Sequence, residues 1–234
     1  GRSRRLFGLG GFALIVIVLG VAVAQANRPD SPGAMPKPFA QAMADPSLMQ
    51  VGADWPAYGG TYNAQRYSPL DQINRENVHR LERAWTFRTG DMPKERWGAE
   101  TTPLKIGDTL YLCTGRSTLI AIDAATGAER WRHDPKVADA SIPYTAACRG
   151  VAYYAAPNAD PAGACATRII AGTLDARLIA VEARTGTPCA DFGQNGAVDI
   201  TIGMGETGPG MVSITSAPAI VRGVVITGHQ VLDG

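Results

Sequence analysis

The chain has 234 residues, and its 22 Lys and Arg are balanced by 21 Asp and Glu, which supplies no basic face for nucleic acid. Its 27 Gly and 16 Pro argue against a helical bundle and for many short strands joined by turns. The sequence starts at Gly1 rather than a methionine and stops at Gly234 directly after a strand-like run, so it reads as a fragment of a longer protein.

The first element is Leu6–Ala24 (LFGLGGFALIVIVLGVAVA), which contains no charged or polar side chain. At about 1.5 Å of helical rise per residue, this run just crosses a hydrocarbon core of roughly 30 Å. Arg2, Arg4 and Arg5 precede it, and no basic residue follows until Arg28. The positive-inside rule therefore predicts a cytoplasmic N-terminal side and places everything after Ala26 outside the cytoplasmic membrane. Ala24-Gln25-Ala26 also has the small-x-small form of a signal-peptide cleavage site. The apolar run exceeds the roughly 7–15 residues of a signal h-region, which favours a retained transmembrane helix over residues 1–26. Both alternatives export the rest of the chain.

Residues 27–53, rich in Pro, Ala and small polar side chains, read as a linker, and a globular part is expected over residues 54–234. Asn77–Arg83 (NVHRLER) predicts a short helical turn, with Val78 and Leu81 three apart. The pattern is β from there on. Strands are predicted at Ala84–Arg88, Thr109–Cys113, Leu119–Asp123, Val151–Ala155, Arg168–Gly172, Leu178–Glu182, Ala219–Val221 and Val224–Thr227.

A repeat narrows the architecture. Leu119–Trp131 (LIAIDAATGAERW) reappears as Leu178–Ala190 (LIAVEARTGTPCA), with Thr-Gly pairs at 126–127 and 185–186. Each copy reads as strand, acidic turn, Thr-Gly, strand; the glycine permits the positive φ of a tight turn, and the acidic residue caps it. A fixed period of this size predicts an array of propeller blades. Trp85 and Trp131 are expected to wedge between neighbouring sheets, although the second copy has Ala190 in place of a tryptophan. Cys113, Cys148, Cys165 and Cys189 all fall in the exported part, where one or two structural disulfides are expected. Three pairings are open. None of the four has zinc-ligand spacing, and His79, His133 and His229 read as turn or surface residues.

The segment Asp54–Pro69 (DWPAYGGTYNAQRYSP), followed by Gln72-Ile73-Asn74 and Asn77-Val78, resembles the opening of the quinoprotein dehydrogenases, which depend on pyrroloquinoline quinone (PQQ). The Thr-Gly and Trp repeats are similar to the docking motifs of their eight-bladed propellers. The membrane-bound glucose/quinate/shikimate branch is the best match, with Leu6–Ala24 similar to the last helix of its membrane domain. The resemblance implies an all-β, partial eight-bladed propeller behind one transmembrane helix. It implies oxidation of a polyol, sugar or cyclic hydroxy acid by hydride transfer to PQQ, with electrons passed to ubiquinone.

PQQ is a flat tricarboxylate that needs cationic and hydrogen-bonding groups at its edge, and a hard cation, Ca²⁺ or Mg²⁺, to polarise its carbonyl. By resemblance, Arg149 pairs with the cofactor near its reactive end, and Glu100 bonds at its edge. Thr173 matches a threonine at a cofactor carboxylate. Ser213 and Thr215 both fall where the family offers a further hydroxyl, and a slip of one or two positions exchanges them. Asp233 matches an aspartate that binds the cation, although Gly234 stands where asparagine usually follows. The family's carboxylate base falls beyond Gly234, so no catalytic base is assigned in this chain.

Two departures bear on substrate. Ala147-Cys148 replaces the adjacent cysteines of the soluble alcohol dehydrogenases, and Thr145 stands where the glucose enzymes carry histidine. Both leave quinate, shikimate or another polyol open. The rival expectation is a non-catalytic propeller scaffold of the cell envelope built from the same repeats.

Overall fold

The structure is a computed structural model that describes residues 50, 52–91, 98–142 and 146–231. Leu6–Ala24, nearly all of the linker, Thr145 and Asp233 lie outside the described residues. Among the described residues, no helix is long and apolar enough to cross a membrane.

Two four-stranded antiparallel sheets, each following chain order, form the centre of the described part. The first contains β1 (Leu104–Ile106), β2 (Thr109–Cys113), β3 (Leu119–Asp123) and β4 (Glu129–His133). The second contains β5 (Ala152–Ala155), β6 (Thr167–Gly172), β7 (Arg177–Glu182) and β8 (Ala197–Asp199). A third group follows: β9 (Val212–Ser213) pairs with β12 (Gln230–Val231), and β10 (Ala219–Val221) pairs with β11 (Val224–Ile226). Short helical turns occur at Val78–Arg80, as expected, and at Asp139–Ser141.

The sheets stack face to face. Tyr111, Cys113, Leu119 and Ala121 of the first sheet share one core with Ile169, Ala171, Ile179 and Val181 of the second. The opposite face of the second sheet packs Ile170 and Ala180 against Ile220, with Val225 at the margin. The opposite face of the first packs Leu112, Ile120 and Ile122 against Trp85 and Phe87. Each central strand is thus covered on both sides. That explains why β3 and β7 read as continuous apolar runs rather than alternating ones.

The Thr-Gly repeat is the joint between sheets. Trp131 is buried, and its indole N–H donates to Ala183 O at 2.9 Å. Its ring lies against Gly186, whose φ is +73°; a Cβ there would come within 2.6 Å of the ring. Trp85 repeats the arrangement one unit earlier, donating to Ala124 O at 3.3 Å and covering Gly127. Ala84–Arg88 keeps the expected alternation, with Trp85 and Phe87 turned inward, but it makes no ladder among the described residues. A single strand pattern names no partner, and the ladder needs one.

Trp55 exchanges backbone hydrogen bonds with Lys105 on the free edge of β1, at 2.9 and 3.1 Å, and Asp54 pairs with the Lys105 ammonium at 2.7 Å. The four cysteines form two disulfides, Cys113–Cys148 between the sheets and Cys165–Cys189 within the second unit. At Ala190, where the docking tryptophan is absent, the neighbouring Cys189 is covalently held instead.

Candidate functional site

Three consecutive units present their inner edges side by side. The Thr102 N–H donates to Arg149 O, and the Arg149 N–H donates to Thr215 O, each at 2.9 Å. These bonds align the segment entering β1, the segment entering β5 and the segment leaving β9. Residues far apart in sequence become neighbours through this row of backbone bonds.

The side chains on the row also meet. Arg149 Nε lies 3.1 Å from Glu100 Oε2, and Arg149 Nη1 donates to Thr215 Oγ1 at 2.6 Å. The Arg149 and Glu100 side chains are 44% and 42% exposed, so the guanidinium fork is oriented by its neighbours yet still accessible. An oriented cation, a carboxylate and a hydroxyl on one edge form a donor and acceptor set suited to a flat polycarboxylate.

The other expected residues stand behind this edge. Thr173 is fully buried, with its hydroxyl 2.5 Å from Asp175 Oδ1 and accepting the Arg177 N–H at 3.0 Å. Its carbonyl accepts the Ile214 N–H at 3.0 Å, which ties the β6–β7 turn to the segment leaving β9, between Ser213 and Thr215. Gly172 allows that approach, since a Cβ there would come within 2.1 Å of Ile214. Ser213 is buried, and its hydroxyl lies 3.4 Å from Gln230 Oε1 rather than at Arg149. Of the two hydroxyls that the sequence left interchangeable, Thr215 meets Arg149 and Ser213 meets β12. Asp233 lies outside the described residues.

Sequence reasoning missed the surroundings of this edge. Cys148, immediately before Arg149, is bonded to Cys113 across the two sheets. The Thr101 hydroxyl, immediately after Glu100, accepts the Cys113 N–H at 3.4 Å and lies 3.6 Å from its sulfur. Neither pairing has a signal in the spacing. His133 ends β4 and is half-buried rather than on the surface, and burial pulls its pKa below the ordinary histidine value.

Two other groupings are structural. A groove of about 580 Å³ is lined by Asp91, Arg116, Arg132, Asp134 and Lys136. Each of its basic side chains is already paired, Arg116 with Asp139, Arg132 with Glu129 and Lys136 with Asp134. Cys165, Cys189 and Asp191 converge, but both sulfurs are in a disulfide, whereas a metal requires thiolates.

Residues 55–234 match the family described as PQQ: Glucose/ethanol/alcohol dehydrogenase, beta-propeller domain. The chain belongs to that family. It is 44% identical over 213 residues to the glycerol dehydrogenase large subunit of Gluconobacter oxydans (strain 621H), covering 89% of this chain and 29% of that protein. It is 42% identical over 188 residues to the quinoprotein glucose dehydrogenase of Escherichia coli (strain K12), covering 77% of this chain and 24% of that one. Among solved structures, the quinohemoprotein alcohol dehydrogenase of Comamonas testosteroni superposes with a TM-score of 0.59 at 28% identity, over 83% of this chain and 27% of the other. The chain thus spans 24–29% of the length of these relatives.

Proposed function

We propose that this chain is part of a membrane-anchored periplasmic quinoprotein dehydrogenase that oxidises a polyol, sugar or cyclic hydroxy acid and passes the electrons to ubiquinone. The observation that carries this reading is the convergence of Glu100, Arg149 and Thr215 on the inner edges of three consecutive units of a PQQ-family propeller. A purely structural propeller has no need to place an accessible, pre-oriented arginine there, which disfavours the scaffold alternative.

When bound, PQQ supplies a two-electron acceptor for hydride from an alcohol carbon. In this reading Arg149 holds an anionic or carbonyl oxygen at the cofactor edge. Glu100 fixes the guanidinium and accepts from the cofactor, while Thr215 adds a hydroxyl. Thr173 and Ser213, which the resemblance gives as cofactor residues, are buried behind the edge and act through it, Thr173 O holding Ile214 beside Thr215. Asp233 contributes one oxygen to Ca²⁺ or Mg²⁺; Ca²⁺ takes about 6–8 oxygens, so further residues must share it. No residue of this chain is assigned as the base that receives the alcohol proton. The apolar run Leu6–Ala24 and its basic flank support the anchor and the periplasmic side.

Apo membranes carrying the full protein are expected to gain dye-reducing activity with a polyol when given PQQ and Ca²⁺. Arg149→Ala is expected to remove most of that gain. Normal reconstitution of the variant would overturn the role given to Arg149.

A further inference from the structure

We propose that the Cys113–Cys148 disulfide is a positioning device for the cofactor edge, holding Glu100 and Arg149 in register with each other; this rests on the cofactor reading above. Glu100 and Arg149 come from different units, and each side chain is more than two-fifths exposed, so their meeting is not enforced by burial. What is enforced lies one residue away on each strand. Cys148 precedes Arg149 and is bonded to Cys113 with a Cα–Cα distance of 5.9 Å. Thr101 follows Glu100, and its hydroxyl engages both the N–H and the sulfur of Cys113, at 3.4 and 3.6 Å. Cys113 is therefore a common hub: a covalent bond fixes one rim strand to it, and a side-chain hydrogen bond fixes the other.

The hub is itself rigid. Cys113 and Cys148 are 1% and 3% exposed, and both belong to the core between the two sheets. Arg149 and Thr102 are joined through the backbone on the same row, so a shift of either strand would be transmitted to the ion pair. An arginine aimed in advance loses less freedom when it captures a planar anion, which makes the bond an aid to affinity as well as to stability.

The second disulfide provides an internal control. Cys165–Cys189 sits in the other core, with Ala152, Ile170, Ala180 and Ile220. The cysteines are 35 residues apart in the inner bridge and 24 in the outer one, and loop-closure entropy grows only logarithmically with length. The two bridges should therefore contribute similarly to stability while differing in their effect on the cofactor.

The test uses the full protein in apo form, with PQQ affinity measured by tryptophan quenching in the presence of Ca²⁺, well below each variant's melting temperature. Cys113→Ser/Cys148→Ser is expected to weaken affinity at least tenfold, and Cys165→Ser/Cys189→Ser less than twofold. Equal losses would overturn the positioning role. In an Arg149→Ala background the inner-pair substitution should change affinity less than twofold, because it acts through Arg149; additive losses would mark a merely structural bridge. Should the inner pair fail to fold, Thr101→Val decides, with a several-fold loss expected and unchanged affinity contradicting the proposal. Unchanged affinity in Arg149→Ala alone would overturn the cofactor reading and this proposal together. A loss there with none in the cysteine pair would overturn this proposal only.

Discussion

Asp123 and Glu182 occupy the same place in the two copies of the repeat and do the same work with different reach. Asp123 Oδ1 accepts the Thr126 N–H at 2.8 Å and its hydroxyl at 2.9 Å, while Oδ2 pairs with Arg130 at 2.7 Å. Glu182 accepts from the Thr185 hydroxyl at 2.9 Å and from Arg184 at 2.5 Å. Arg130 and the Thr126 donors hold the Asp123 carboxyl well below its ordinary value; Arg184 and then Thr185 lower Glu182 against the opposing effect of burial. A depressed carboxyl stabilises the fold fully above its unfolded pKa, about 3.9 for Asp and 4.3 for Glu, and that contribution is lost as pH falls through the folded value. Calorimetry on the full protein should show a melting temperature insensitive to these groups near neutrality and falling below about pH 4. Asp123→Asn should melt lower at pH 7 and lose less on acidification; an unchanged acid slope would contradict this role. The acidic residue and Thr-Gly were legible because they recur. The cysteine pairing was not, because it depends on which units adjoin, and spacing does not encode that.

The docking tryptophans are the device that joins one element to the next. Trp131 is buried and hydrogen-bonded at 2.9 Å, whereas Trp85 is half-buried with a bond of 3.3 Å. Large-to-small substitution of a buried tryptophan costs about 3–5 kcal/mol, so Trp131→Ala should approach that range in urea unfolding and Trp85→Ala should fall below it. Gly186→Ala should also destabilise, since it combines a φ of +73° with a close approach to the Trp131 ring. Equal costs at Trp85 and Trp131 would contradict the asymmetry. The long central strands were readable because burial on both faces leaves an unbroken apolar run. β1, β8, β9 and β12, at two or three residues each, carry too little pattern to be read alone; the equally short β10 and β11 were legible as apolar runs on either side of Arg222-Gly223.

At the scale of the whole molecule, the repeat announced a propeller before any strand was paired, and stacked sheets joined at each Thr-Gly turn are what the structure contains. The site was legible only through resemblance. Glu100, Arg149 and Thr215 have no common motif, and only the row of inner-edge hydrogen bonds brings them together. The central claim is that this edge grips PQQ, and a cofactor-loaded structure of the full protein tests it most directly. The Arg149 guanidinium is predicted to lie within about 2.7–3.2 Å of a cofactor oxygen, between Glu100 and Thr215. PQQ seated elsewhere, with Arg149 bound only to Glu100 and Thr215, would contradict it.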